Sequence, residues 1–216
     1  MFQNLRITGL VPDSLPESSA IDSEIWNSDV EIKSGEHVLI SASSGRGKST
    51  LIALLYGLKQ VFKGKYLYNG IDSRLISAGN WSQIRSEEMA IVFQDLRLFP
   101  DYTLEENLRI KGNLKKESFE FDEAVSMCCK LGVEKHLNRK CGTLSYGERQ
   151  RVAIVRALSQ KAGIILMDEP FSHLDRQNSE TALELILEKS AVSNSALVIT
   201  SLGTDYGWNY DRTISL

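Results

Sequence analysis

Read as a succession of apolar and polar positions, the chain alternates short apolar runs with longer amphipathic stretches. GEHVLISA (35–42) is a turn followed by an apolar strand, and STLIALLYGL (49–58) has helical length and an apolar face. KGKYLYNGID (63–72) alternates as a hairpin strand and ends in Asn69-Gly70, a pair suited to a tight turn. MAIVFQD (89–95) predicts a buried strand. From about 101 to 141 the chain becomes polar and helical. TLEENLRI and FDEAVSMCCKLG carry helix spacing there, and Gly132 is placed to stop the second helix. ERQRVAIVRALSQ, after Gly147, predicts a basic amphipathic helix; GIILMDEP (163–170) and ALVITS (196–201) are compact apolar strands. Strands of this kind between helices predict an α/β fold with a mainly parallel sheet covered on both faces. The Pro-, Ser- and Asp-rich stretch VPDSLPESSAIDS (11–23) reads as an exposed loop.

Composition narrows the function classes. The 216 residues are 42% hydrophobic and 25% charged, ordinary for a soluble globular protein. A formal net charge of -3 supplies no basic field, which argues against sequence-independent nucleic-acid binding. Cys128, Cys129 and Cys141 form no CxxC pair and no even disulfide framework, a usage suited to a reducing cytosol. His37, His136 and His173 lack metal-ligand spacing. MFQNLRITGL lacks the basic start and apolar core of a signal peptide, and no apolar run approaches the roughly 20 residues of a membrane span.

Between the first apolar strand and helix lies SASSGRGKST (41–50). A phosphate loop is written G-x-x-x-x-G-K-[ST]; Gly47, Lys48 and Ser49 fit its end, while Ala42 stands where the first glycine belongs. Gly45 and Gly47 supply left-handed backbone where such a loop must wrap an anion. Lys48 is placed to reach β- and γ-phosphates, and Ser49 to ligate Mg²⁺. Ala42, at the strand exit, adds little bulk outside the tight part of the wrap. Taken alone, the segment favours a phosphate cradle over a glycine turn before an ordinary helix, and a second motif is needed beside it.

IILMDEP changes the balance. Its apolar residues carry Asp168 and Glu169 to the carboxyl edge of a parallel sheet, where ligands of such sheets bind. Asp168 has the placement of an acid that holds Mg²⁺, and Glu169 that of a carboxylate polarising an attacking water. An acid pair at a strand end is otherwise a helix cap; following a phosphate loop, it gains a chemical reason.

With these residues in place, the chain resembles the nucleotide-binding domains of ABC transporters. The resemblance rests on SASSGRGKST, VFQDLRLFP, LSYGERQR, IILMDEP and FSHLD, in that order between 41 and 175. It implies a P-loop NTPase fold with a mainly parallel core sheet, an N-terminal antiparallel β subdomain and an inserted helical subdomain at about 96–145, all within one ATP-binding domain, 1–216. It implies ATP held by Ser43, Ser44, Gly45, Arg46, Gly47, Lys48, Ser49 and Thr50. Mg²⁺ falls to Ser49, Gln94 and Asp168, and catalysis to Glu169, Gln94 and Lys48. Ser145, Gly147, Glu148 and Asp175 would complete the site of a second subunit, in a homodimer or a paired ATP-binding subunit. The partners implied are integral membrane permease subunits, with the chain on the cytoplasmic face of the cell membrane and no segment inserted. Leu96, Leu98, Phe99 and Tyr102 are the docking place the resemblance suggests, on a loop that reads as exposed. LSYGE also reads as a capped helix start, with Ser145 and Glu148 completing a capping box; such a cap aims backbone donors at an anion, so both readings stand together.

The chain departs from that pattern in named places. Tyr146 replaces a signature glycine and Glu148 its glutamine. Counted from ALVIT and from DRTISL, the position of the family's switch histidine falls on Leu202, and no other histidine is close in sequence. The ring that commonly stacks on adenine is missing around Leu10–Asp13, and Trp26 reads as core. The leading expectation is a transport-coupled ATPase, slow for want of the histidine. The alternative is an ATP-gated dimerising module with little or no hydrolysis. An ABC ATPase acting on DNA or ribosomes fits poorly with the charge and the single-module length, and a simple nucleotide kinase leaves LSYGE without a role.

Overall fold

A computed structural model of the protein describes residues 1–13, 15, 22–114 and 120–216. In chain order its strands are β1 (Asn4–Pro12), β2 (Asp29–Lys33), β3 (His37–Ser41), β4 (Phe62–Tyr68), β5 (Ile71–Asp72), β6 (Met89–Val92), β7 (Ile164–Asp168), β8 (Ala196–Ser201) and β9 (Arg212–Ser215). The helices are α1 (Lys48–Leu55), α2 (Ala78–Glu87), α3 (Leu104–Leu114), α4 (Phe121–Lys130), α5 (Tyr146–Leu158) and α6 (Arg176–Ser193).

The strands form two sheets. Order β6-β7-β8-β3-β9 makes a five-stranded sheet, parallel throughout. Order β2-β1-β4-β5 makes a four-stranded antiparallel sheet. Successive residues of a strand face opposite sides, and here the parallel sheet uses both. Leu39, Ile165, Met167, Leu197 and Ile199 join a core with α3, α4, α5 and α6. Val38, Ile40, Leu166, Ala196 and Val198 join a second core with α1 and the antiparallel sheet. That double burial is why these strands read as unbroken apolar runs.

Local signals account for the ends of elements. Asn69 (φ 49) and Gly70 (φ 79) make the left-handed pair that folds β4 back onto β5. Helix α4 has Asp122 and Glu123 in its first turn and Lys130 in its last, agreeing with the helix dipole. It buries Ala124, Met127 and Cys128, and the chain leaves it at Gly132, φ 64, as expected.

Two expectations change. The stretch 11–23 is not loop from its start: Val11 and Pro12 pair with Lys63 and Phe62 after a register shift beyond Thr8. The irregularity requires small residues, because a Cβ on Gly64 would lie 2.1 Å from the Gly9 carbonyl oxygen. The remainder of that expectation lies partly outside the described residues. Leu96, expected on an exposed apolar loop, is buried in the helical core at 4% exposure. Its φ of 61 turns the side chain inward, and only Phe99 and Tyr102, stacked at 5.5 Å, stand out at 50% and 48%.

Candidate functional site

Strand β3 delivers the chain into the 42–47 turn. Ala42 continues the sheet by donating its N–H to the Ser201 carbonyl at 3.1 Å, and it lies outside the left-handed residues. A glycine's freedom is not needed there. It is needed at Gly47, where φ is 99 and a Cβ would sit 2.9 Å from Leu15 and 3.1 Å from the Trp26 ring. Gly47 is also the N-cap of α1, which begins with no side-chain cap and no acid in its first turn. Its leading N–H groups therefore suit an anion.

Lys48 is 5% exposed, and its ammonium has three oxygen partners. It donates to the Ala42 carbonyl at 2.9 Å and the Ser43 carbonyl at 3.1 Å, and it pairs with Glu169 Oε1 at 3.1 Å. Ser49 Oγ donates to Gln94 Oε1 at 3.2 Å and lines the same cavity as the Asp168 carboxylate. Burial raises the Asp168 carboxyl above its ordinary range, while the nearby Ser49 hydroxyl and the hydrogen bond from Thr200 oppose that shift. The sequence-derived residues Lys48, Ser49, Gln94, Asp168 and Glu169 are thus brought together. A carboxylate, a hydroxyl and an amide oxygen form a hard-oxygen donor set of the kind Mg²⁺ takes, which leaves further positions for phosphate oxygens and water.

The other expected residues lie around this centre. Ser43, Ser44 and Gly45 are exposed on the turn. Arg46 donates to the Leu216 carbonyl at 3.3 Å, and Thr50 accepts from Lys59 at 3.4 Å. Ser145 caps α5: its Oγ accepts from Glu148 N–H at 3.3 Å, while its own N–H donates to Glu148 Oε2 at 2.8 Å. The bond from the Ser145 backbone is the main cause holding the Glu148 carboxyl below its usual range. Glu148 also pairs with His136 at 3.0 Å. Gly147 backs onto the turn before α6, where a Cβ would lie 3.0 Å from the His173 carbonyl oxygen. Asp175 caps α6 by accepting from Asn178 N–H at 2.8 Å. Leu202 follows β8 directly and is 55% exposed.

Several working residues escaped the sequence reading. Trp26 is core, as expected, yet its indole also donates to the Arg46 carbonyl at 3.2 Å and so braces the phosphate loop from within. Thr200, opposite Asp168 in the sheet register, donates to Asp168 Oδ1 at 2.8 Å and accepts from Glu169 N–H at 3.1 Å. A hydroxyl, followed by that of Ser201, at the end of an apolar strand was its only local signal. Gln150 donates to the Glu169 carbonyl at 3.1 Å, steadying a residue with the unusual φ of 49. A larger cavity, about 660 Å³, opens between α6 and residues 204–208 and is lined by none of the five converging side chains.

Residues 25–172 match the family model described as ABC transporter. The chain belongs to the ABC transporter family. It is 34% identical over 174 residues to the lipoprotein-releasing system ATP-binding protein LolD of Buchnera aphidicola subsp. Schizaphis graminum, covering 80% of this chain and 76% of that protein. It is likewise 34% identical over 192 residues to LolD of Legionella pneumophila, at 87% and 84% coverage. The fold matches the dimeric structure of the ATP-binding cassette MJ0796 in a post-hydrolysis state bound to ADP and Pi, with TM-score 0.85, 25% identity, and 98% and 94% of the two chains covered. The resemblance and the fold class expected from the motifs both hold for this ABC family member: a P-loop NTPase with a parallel core sheet, an antiparallel sheet and helices.

Proposed function

We propose that this ABC protein binds and hydrolyses Mg-ATP as the energy-coupling subunit of a membrane transporter, with 1–216 acting as one ATP-binding unit and 96–145 as its helical insertion. The observation that carries the reading is the meeting of Lys48 and Ser49, from one turn, with Gln94, Asp168 and Glu169, from two strand ends.

The 43–50 loop holds the phosphates through its N–H groups and Lys48. Phosphate oxygens compete with Glu169 for the Lys48 ammonium, which frees the carboxylate to accept a proton from the attacking water. Ser49, Gln94 and Asp168 would hold Mg²⁺, which supplies charge neutralisation on the phosphates when bound. Ser145, Gly147, Glu148 and Asp175 face the nucleotide of a second subunit in a head-to-tail pair, so ATP binding draws the pair together and hydrolysis releases it. Support for pairing comes from the similar cassette, whose structure is dimeric. Phe99 and Tyr102 form the remaining exposed ring pair for docking a permease subunit at the cytoplasmic face of the membrane; among the described residues no helix is long and apolar enough to cross one. The names of the similar LolD proteins suggest lipoprotein release as the work of the whole complex, and the permease that co-purifies with the chain tests that suggestion.

Exposed Leu202 favours a second reading, an ATP-gated dimerising module with little hydrolysis. Measured phosphate release decides between them. On the first reading the wild type turns over, and Glu169→Gln lowers the rate by about 10²–10⁴-fold while still binding Mg-ATP. Equal, background-level rates for both proteins, with ATP-dependent pairing retained, select the second.

A further inference from the structure

Tyr146 stands where the signature named by the resemblance has glycine, and its side chain makes contacts that glycine lacks. The hydroxyl donates to the Gln94 main-chain carbonyl at 2.7 Å. The ring lies 4.1 Å from the His173 ring, tilted by 45°. Together with Ser49, Gln94 and Asp168, Tyr146 lines one cavity of about 390 Å³. Both contacts lead to the site. Gln94 accepts from Ser49 through its side chain. The His173 N–H donates to Gln150 at 3.1 Å, and Gln150 donates to the Glu169 carbonyl.

The far end of α5 grips the same loop. Arg156 donates to the Leu96 and Arg97 carbonyls, each at 2.7 Å. Leu96 and Arg97 have φ of 61 and 46, a conformation that side-chain-bearing residues hold only with outside support. Tyr146 and Arg156 are ten residues apart, roughly 15 Å along the helix. Helix α5 therefore clips the 94–97 loop at two points.

We infer that Tyr146 is a positioning residue for hydrolysis: it fastens the first turn of α5 to Gln94 and His173, keeping the Gln94 amide on Ser49 and steadying the turn that carries Glu169. The inference rests on the ATPase reading above. Because Tyr146 acts largely through Gln94, its effect depends on the Gln94 side chain.

Tyr146→Phe keeps the ring and removes only the hydroxyl. Its kcat for Mg-ATP falls about three- to tenfold, the size expected for losing one hydrogen bond, with KM unchanged. Tyr146→Gly falls further. In a Gln94→Ala background, Tyr146→Phe brings little additional loss, as coupled residues require. A full wild-type kcat in Tyr146→Phe overturns the inference. So does a rise in KM alone, or an equal loss in both backgrounds, which marks a merely structural role. A second measurement needs no hydrolysis: amide exchange at 94–97 in the whole protein rises in Tyr146→Phe, and unchanged exchange overturns the clip. Should the wild type prove unable to hydrolyse ATP, the ATPase reading fails and the positioning role with it, while exchange still reports whether the clip exists.

Discussion

The 42–49 turn and the 201–211 segment leave neighbouring strands at the same end of the parallel sheet, yet they are held in different ways. The first is cross-braced from distant parts of the chain. Trp26 bonds the Arg46 carbonyl, Arg46 bonds the Leu216 carbonyl, Ser201 accepts from Ala42, and Glu169 meets Lys48. The second is held at its ends and otherwise mainly by its own turns. Ser201 Oγ bonds both the carbonyl and the N–H of Thr204, and the Asp205 carboxylate accepts from Gly207 N–H. Its links to the rest include the Ser201 carbonyl on Ala42 N–H, Tyr206 set edge-on to Phe171 at 4.7 Å, Tyr210 packed against the helical core, and the exchange between Asp211 and His37 at the strand start. A cross-braced turn restricts substitution at the residues its braces touch, such as Gly47 against Leu15 and Trp26, whereas exposed Leu202 has no comparable contact to satisfy. Leu202 sits in the second kind of structure.

The contrast breaks most severely at Trp26. Trp26→Ala removes a fully buried ring and the brace on Arg46, and costs about 3–5 kcal/mol of stability by denaturant titration, with weaker Mg-ATP binding in what remains folded. A variant of wild-type stability and affinity would show that the cradle needs no such support. Leu202→His tests the other side. A donor restored beside the phosphates raises turnover by about tenfold, less than the loss seen when a donor is deleted from an optimised site; an unchanged rate argues that the segment no longer reaches the nucleotide. The smallest effect is a slope. Asp168 has a raised folded-state pKa, so the native state holds its proton to higher pH than the unfolded chain does. Wild-type stability therefore falls as pH rises from the ordinary aspartate range through the native pKa, and it stays lowered above. Asp168→Asn lacks that loss, so its thermal-unfolding advantage over the wild type grows from acid to neutral pH even as activity disappears.

What the sequence disclosed follows the range of the interactions. Strands β3, β7 and β8 announced themselves because burial on both faces leaves the runs Val38–Ile40, Ile164–Met167 and Ala196–Ile199 wholly apolar. The start of α5 was legible because Ser145 and Glu148 close a cap within four residues. That Lys48, Ser49, Asp168 and Glu169 would lie together was legible because each stands in a short motif whose residue types belong to one proposed phosphate site. Trp26, Gln150 and Thr200 were not: each takes its role from a partner 19 or more positions away, and none breaks the local pattern. The inward turn at Leu96 was hidden for a related reason. Its left-handed backbone occurs without glycine and is supported by Arg156, far along the chain. Tyr146 was visible as a departure from pattern, while the direction of its hydroxyl was not.

The parallel sheet also acts as a partition. Leu166 and Met167 are adjacent in the chain, but one faces the interior shared with α1 and the other the interior shared with α5. A defect introduced at either is felt first by a separate population of side chains. Side-chain packing beside the phosphate loop is thereby separate from that among the helices, and what joins the two sides near the site is the set of polar contacts from α5 to Gln94 and Glu169.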